Sequence, residues 1–481
     1  MAFAFIAGLP TSAALLLIVC LLAVCFFEAI NGFHDTANAV ATVIYTKSLK
    51  PNTAVLWSGI MNFLGVFFGG VVMAWIMGFF GSHEGSHGGI GVAMGIVKLM
   101  PVNEMMDSNI SETISLVLAV LFAAILWNLG TWYYGIPCSS SHTLIGSLLG
   151  AGFAFSTIHT NAKVNWSKAS EIGSSLLISP LFGFSLAILL MFILTSFIKN
   201  KVIFKEPDPK KAPPMWIRAI LILTCTLVSF FHGSTDGQKG VGLLLVVMMA
   251  FLPSQFAFDN RINPADLKIV ALNIEQTLTK AAQGAPNETV LTGFANEAHG
   301  VAVALDTLRF SNQGATMAAR RSIQKLNGGL KGALSGGVIT GKEVRASIKA
   351  DTDRLATAYE FAYTWMVALI SICLGIGTMI GWKRIVVTIG EKIGKSHLTY
   401  AQGASAELCA AATIGVSTGL GLPVSTTHVL SSGIAGTMVA KGGVKNLQKK
   451  TIQNIALAWI LTLPVSFLLA AILFFFLRML I

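Results

Sequence analysis

The 481-residue chain is 54% hydrophobic and 11% charged, with a mean hydropathy of +0.71. A soluble domain carries roughly a quarter charged residues, so a water-soluble globule is excluded. The 33 basic and 22 acidic side chains leave a net +11, but the basic residues fall mostly in loops between apolar runs, which is a matter of membrane orientation and not of nucleic-acid binding.

The first apolar run, 10–30, is too long for a signal segment, has no basic stretch before it, and reads as the first span. Further spans are predicted at 53–80, 114–134, 144–158, 172–198, 215–231, 241–252, 361–382, 400–421, 429–440 and 452–480. Runs 144–158 and 241–252 are short and follow polar, glycine- or proline-containing segments, which predicts broken or re-entrant helices. The fold class is thus an all-α polytopic membrane protein of about 10–12 membrane segments. The stretch 199–216, with Lys210-Lys211 and Pro213-Pro214, reads as a linker. Residues 258–360 hold 22 of the 55 charged side chains and read as a soluble insertion, in which Leu267, Val270, Ile274 and Leu278 recur at helical spacing. The predicted organisation is a first transmembrane repeat (1–198), the linker, the start of a second repeat (217–257), the insertion, and the rest of the second repeat (361–481).

Few charges are left at membrane depth: Glu28, Asp35, Asp236, Lys239 and Glu407. Each costs about 2.5–3.5 kcal/mol at a helix centre, which makes it a site candidate. For Glu28 a snorkelling position at a span boundary is the plainer explanation. The six cysteines show no metal-ligand spacing. The sequence His83-Glu84-Gly85-Ser86-His87 has zincin spacing but lies in a glycine-rich loop. No resident metal or other cofactor is expected.

Two pairs of motifs repeat in the same order. Phe33-His34-Asp35-Thr36-Ala37-Asn38 is echoed by Phe231-His232-Gly233-Ser234-Thr235-Asp236, aligned on the aspartates so that Asn38 matches Lys239. Pro137-Cys138-Ser139-Ser140-Ser141-His142 is echoed by Pro423-Val424-Ser425-Thr426-Thr427-His428. The intervals from aspartate to proline, 102 and 187 residues, differ by about the length of the insertion. A duplicated chain with polar segments at matching positions points to a secondary transporter with its site between the halves. A proline before three hydroxyl residues at a helix start makes an anion cradle at the positive end of the dipole. Capping of the helix is the structural alternative. Asp35, Asn38 and Asp236 form a hard-oxygen set for a coupling cation, with Glu407 as a further candidate. Lys239 either pairs with Asp236 or contacts the anion. His34, His142 and His428 are candidate proton relays, with packing as the alternative.

These motifs, together with Gly375-Ile-Gly-Thr-Met-Ile-Gly-Trp382 and Thr388-Ile-Gly-Glu-Lys-Ile-Gly394, strongly resemble the Pit family of inorganic phosphate transporters, over essentially the whole chain except 258–360. The resemblance implies an inverted-repeat membrane fold, a homodimer among lipid in a bacterial inner membrane, and phosphate uptake with a coupling cation. It assigns phosphate to Ser139, Ser140, Ser141, Ser425, Thr426 and Thr427, and cation coupling to Asp35, Asn38 and Asp236. His34 and Thr235 stand where the sodium-coupled pattern has its first Asn, and Lys239 where it has its last. An ammonium there disfavours Na⁺, so proton symport is expected, with phosphate carried as a complex with a divalent metal. Sodium-coupled phosphate or sulfate symport is the alternative, an anion channel a more distant one, and an enzyme is not expected. Positive-inside counting places the first terminus outside. The insertion is placed in the cytosol by resemblance alone.

Overall fold

The computed structural model describes residues 9–79, 89–208, 211–310, 312–381, 383, 386 and 393–481. Trp382, residues 388–392 and the zincin-like sequence at 83–87 lie outside them. Along the first half run α1 (Thr11–Tyr45), α2 (Pro51–Phe79), the short α3 (Gly91–Val97) and α4 (Val102–Asp107), α5 (Ile110–Tyr133), α6 (Ser140–Ile158) and α7 (Trp166–Phe197). Then come α8 (Met215–Phe251), α9 (Pro253–Phe256), α10 (Pro264–Ala282), α11 (Glu288–Asp306), α12 (Gln313–Ser335) and α13 (Lys342–Ala356). The last described helices are α14 (Thr364–Thr378), α15 (Tyr400–Gly419), α16 (Thr426–Gly442) and α17 (Lys449–Leu480).

Six of these, α1, α2, α5, α7, α8 and α17, are long and apolar enough to cross a membrane, and α14 is a shorter apolar helix. Large apolar side chains stand on the outside, with Trp75 75%, Leu177 71% and Met479 85% exposed. A soluble protein would hide them, whereas the outer face of a membrane span is apolar. The chain is an all-α polytopic membrane protein.

The continuity of α1 and α8 departs from the sequence reading. The run 241–252, expected as a separate broken segment, continues α8 without interruption, and α1 passes straight through Asp35 and Asn38 to Tyr45. At 35 and 37 residues these helices are about 52 and 55 Å long, against a hydrocarbon core of about 30 Å. Neither motif contains proline, and the polar side chains find partners on other helices, so the backbone has no need to unwind. In α1 the first half faces outward through Leu15, Leu22 and Phe26, whereas nearly every residue from Phe27 to Val43 is buried. In α8 the exposed Trp216, Ile220 and Leu223 give way to unbroken burial from His232 to Phe251.

The helix break before 144–158 is present, and the same break recurs before α16. Gly135 (φ 65°) closes α5 and Gly421 (φ 69°) closes α15. In each case the next N–H returns to a carbonyl five residues back, Ile136 to Thr131 and Leu422 to Ser417, both at 2.9 Å. This is the six-to-one bond of a glycine helix stop. Pro137 and Pro423 prevent the helix from resuming at once, and Ser139 and Ser425 then cap α6 and α16 with nearly identical backbone angles. The repeated unit therefore opens G-x-P-x-S, beginning two residues before the motif read from the sequence.

Helix packing crosses the two halves: α6 lies on α17, and α16 lies on α7. Both contacts need glycine. A Cβ at Gly150 would collide with the Phe467 carbonyl and stand 2.7 Å from its Cα, and one at Gly436 would stand 2.5 Å from the Phe184 carbonyl oxygen.

The chain divides into two compact units, one made of residues up to 104, 108–247 and from 363 onward, the other of 105–107 and 248–362. In the second unit α10 buries Leu267, Val270, Ile274 and Leu278, the apolar stripe read from the sequence, with Ala298, Ile323 and Leu355 of α11, α12 and α13 in the same core. Replacing Gly150 by alanine is expected to cost about 1–3 kcal/mol through overpacking. Gly130→Ala, where nothing lies within 4 Å of the added Cβ, is expected to be neutral or to gain up to about 1 kcal/mol. Thermal unfolding of the two purified variants, followed by helical circular dichroism, separates these outcomes; equal melting points would contradict the packing account.

Candidate functional site

The buried halves of α1 and α8 carry the two aspartate motifs to the starts of α6 and α16. On α1, Asp35 accepts from Thr427 of α16 at 2.5 Å and from Asn38 at 3.1 Å, and Asn38 also donates to Thr427 at 3.1 Å. On α8, Lys239 donates to Asp236 at 2.6 Å, to the Val424 carbonyl at 3.1 Å and to Ser141 of α6. The spacing of three puts each pair on one helix face. The same arrangement is thus drawn twice. In each copy the residue three beyond the aspartate bonds the third hydroxyl of the triplet belonging to the other half, and Asp35 does so as well.

The triplets divide their labour. Ser139 and Ser425 accept the backbone N–H of His142 and His428, each at 3.2 Å, so the first hydroxyl of each triplet caps its own helix. Ser140 reaches Asp35 at 3.4 Å, Ser141 donates to the Val424 carbonyl at 3.0 Å, and Thr426 is buried at the start of α16. His142 and His428 stand with ring centroids 4.5 Å apart, and His428 stacks on Trp459 at 3.9 Å. His142 Nδ1 lies 2.8 Å from the capping Ser139 hydroxyl.

Two histidines frame the carboxylates. Thr131 commits its hydroxyl proton to backbone carbonyls of its own helix and so receives the Nε2–H of His34 at 3.3 Å. This leaves Nδ1 of His34, which has no hydrogen-bond partner, 3.7 Å from Asp35. Asn62 gives its amide N–H to Thr378 at 2.9 Å, so its oxygen accepts from Nδ1 of His232 at 2.8 Å. Nε2 of His232 then faces Asp236 at 3.4 Å and Asp35 at 3.7 Å. These tautomers follow from the hydrogen-bond network. Electron-pair donors of Asp35, His232 and Asp236 converge within 4.8 Å of one another, all buried. Such a cluster calls for a proton or a cation at its centre, and a mixed imidazole and carboxylate set accepts either a proton or a divalent metal.

Of the residues named from the sequence, Asp35, Asn38, Asp236, Lys239, Ser140, Ser141 and Thr427 come together in this network, and His34 adjoins it. Glu407 does not: it is buried against Thr224, which donates to it at 2.5 Å. Thr224 is 12 residues before Asp236 on the same helix, about 18 Å along its axis. Glu28 is fully buried, so the snorkelling explanation fails. His232 and Asn62 were not among the sequence candidates. His232 could have been found from its position four residues before Asp236; Asn62, within an apolar run of α2, gave no local signal.

Residues 31–470 match the phosphate transporter family. The low-affinity inorganic phosphate transporter of Buchnera aphidicola subsp. Acyrthosiphon pisum (strain APS) is 38% identical, with 96% of each chain covered. The low-affinity inorganic phosphate transporter PitA of Escherichia coli (strain K12) is also 38% identical, over 96% of this chain and 97% of its own. Among solved structures, the sodium-dependent phosphate transporter is similar in fold, with a TM-score of 0.52 at 20% identity, over 97% of this chain and 100% of that one. On the extent of these matches, the chain belongs to the phosphate transporter family.

Proposed function

We propose that this transporter takes up inorganic phosphate across the bacterial inner membrane by proton symport, the phosphate travelling as a complex with a divalent metal. The observation that carries the reading is the doubled network, in which the aspartate motif of each half bonds to the hydroxyl triplet of the other. A site built this way is completed by both halves at once, as alternating access between inverted repeats requires. In this scheme Ser140, Ser141, Thr426 and Thr427, with the free N–H groups at the starts of α6 and α16, cradle the phosphate, and Lys239 supplies the positive charge. Ser139 and Ser425 hold those helix starts in register.

Asp35, Asn38 and Asp236 bind the coupling cation. His34, His142 and His428 serve as relays, a role that the adjoining rings of His142 and His428 support. The metal of the complex meets His232 beside the two aspartates. Sodium coupling, stated in the name of the 20%-identical structure, has the ammonium of Lys239 against it here. On resemblance, the transporter is a homodimer.

Membrane vesicles containing the transporter are expected to take up labelled phosphate under an inward pH gradient without Na⁺, and faster with Mg²⁺. Strict Na⁺ dependence would overturn the proton reading, and competition by sulfate would widen the substrate. Asp35→Asn is expected to abolish this uptake while the protein stays folded. Thr427→Ala, which removes a hydrogen bond to a carboxylate and a cradle hydroxyl, is expected to raise the phosphate KM about tenfold or more. Unimpaired uptake by the Asp35 variant would remove that carboxylate from the mechanism.

A further inference from the structure

The transport scheme leaves Glu28 unused. It lies on α1 seven residues before Asp35, two turns away on the same face. The side chain is 0% exposed, and neither carboxylate oxygen has a hydrogen-bond partner among the described residues. Its carboxyl presses on α8 at Gly240, where an added Cβ would overlap it. A glycine immediately after Lys239 therefore makes the room that Glu28 occupies. The groups facing it are Asp236, Lys239 and His232 of α8, Asn31 of its own helix, and Cys373 of α14. Lys239, the ammonium among them, is engaged by Asp236, Ser141 and the Val424 carbonyl.

An ionised carboxylate in that position would lose its hydration with only the Asn31 amide beside it as a neutral donor, at a cost of several kcal/mol. As a neutral acid it costs far less. A packing role would be served by leucine or glutamine, neither of which carries a proton. The neighbouring ion pair supplies a reason for an acid. When an anion draws on Lys239, the charge of Asp236 is less well neutralised, and the added negative potential holds a proton on Glu28. When the anion leaves, Lys239 returns to Asp236 and the proton is released more easily. Phosphate and proton then strengthen each other's binding, and the coupling is reciprocal.

We infer that Glu28 joins the coupling set of Asp35, Asn38 and Asp236 as the member on which its proton rests, taking H⁺ from water when the site is open on one side and giving it back to water on the other. The inference rests on the proton symport proposed above. For one proton per phosphate, a pH step of about one unit drives about tenfold accumulation.

In proteoliposomes under such a gradient, the wild type is expected to accumulate labelled phosphate about tenfold, and Glu28→Gln not at all. The same variant is expected to retain exchange of internal for external labelled phosphate, which needs no net proton movement. Glu28→Asp is expected to recover part of the accumulation. Accumulation by Glu28→Gln equal to the wild type would overturn the assignment and leave proton symport standing. A wild type that ignores the pH gradient and follows Na⁺ would overturn both. Infrared difference spectroscopy gives a readout independent of transport: at neutral pH the wild type is expected to show a protonated carboxyl C=O band that shifts in Glu28→Asp. A spectrum without such a band, or with one unmoved in that variant, refutes the neutral acid.

Discussion

Charge at membrane depth has to be met by protons, cations or donors, because neither water nor lipid will do it. Around that requirement the interior of this transporter is arranged. Asp35 is held by Thr427, Asn38 and Ser140, and Asp236 by Lys239. Since Thr427 and Ser140 reach Asp35 from other helices, as Ser141 and Val424 reach Lys239, the helices must come close, and close approach is where the glycines stand. A Cβ at Gly233 would collide with the backbone of Asn62, and one at Gly32 would stand 2.5 Å from the Leu374 carbonyl oxygen. Electrostatics and packing are one constraint here: remove the small residues and the carboxylates lose their donors.

The crossing of the two halves follows from the same need. Each hydroxyl-capped helix lies on the last long helix of the opposite half, α6 on α17 and α16 on α7. This carries Ser141 to Lys239 and Thr427 to Asp35. Ser141 and Thr427 each come from the opposite half, so this part of the polar network forms only when both are assembled. Capping and anion binding are not competitors in this arrangement. The capping serine fixes the direction in which the next two hydroxyls and the free N–H groups point.

Much of this was legible in the sequence. The membrane class came from composition, the matching helix starts at Ser139 and Ser425 from two motif pairs in one order, and the bundle of the insertion from a stripe at Leu267, Val270, Ile274 and Leu278. The run of α8 through its motif was not legible, because a polar stretch reads as a break unless its partners are known, and those are up to 185 residues away in sequence, as for Val424 and Lys239. Asn62 was invisible for the same reason: its role is to orient His232 from another helix. Glu407 was read with the aspartates because both are acids in apolar runs, a resemblance that says nothing about depth along the bundle.

The departures from symmetry are as informative as the repeat. Where the first half has Asn38, a neutral donor, the second has Lys239, and where alignment on the aspartates puts Glu28 in the first half, the second has Ser229, which bonds Ser58 at 2.9 Å. An asparagine beside Asp35 leaves that carboxylate its negative charge; a lysine beside Asp236 cancels the other. Two identical halves would present two equal cation sites and no fixed positive charge for an anion. In the proposed scheme, a lysine in place of one asparagine gives the shared site an anion-facing side and a cation-facing side, and the glycine after that lysine leaves room for Glu28 beside it. Small local differences between two matching motifs are thus enough to give the network a polarity, and in the proposed scheme that polarity sets which ions travel together.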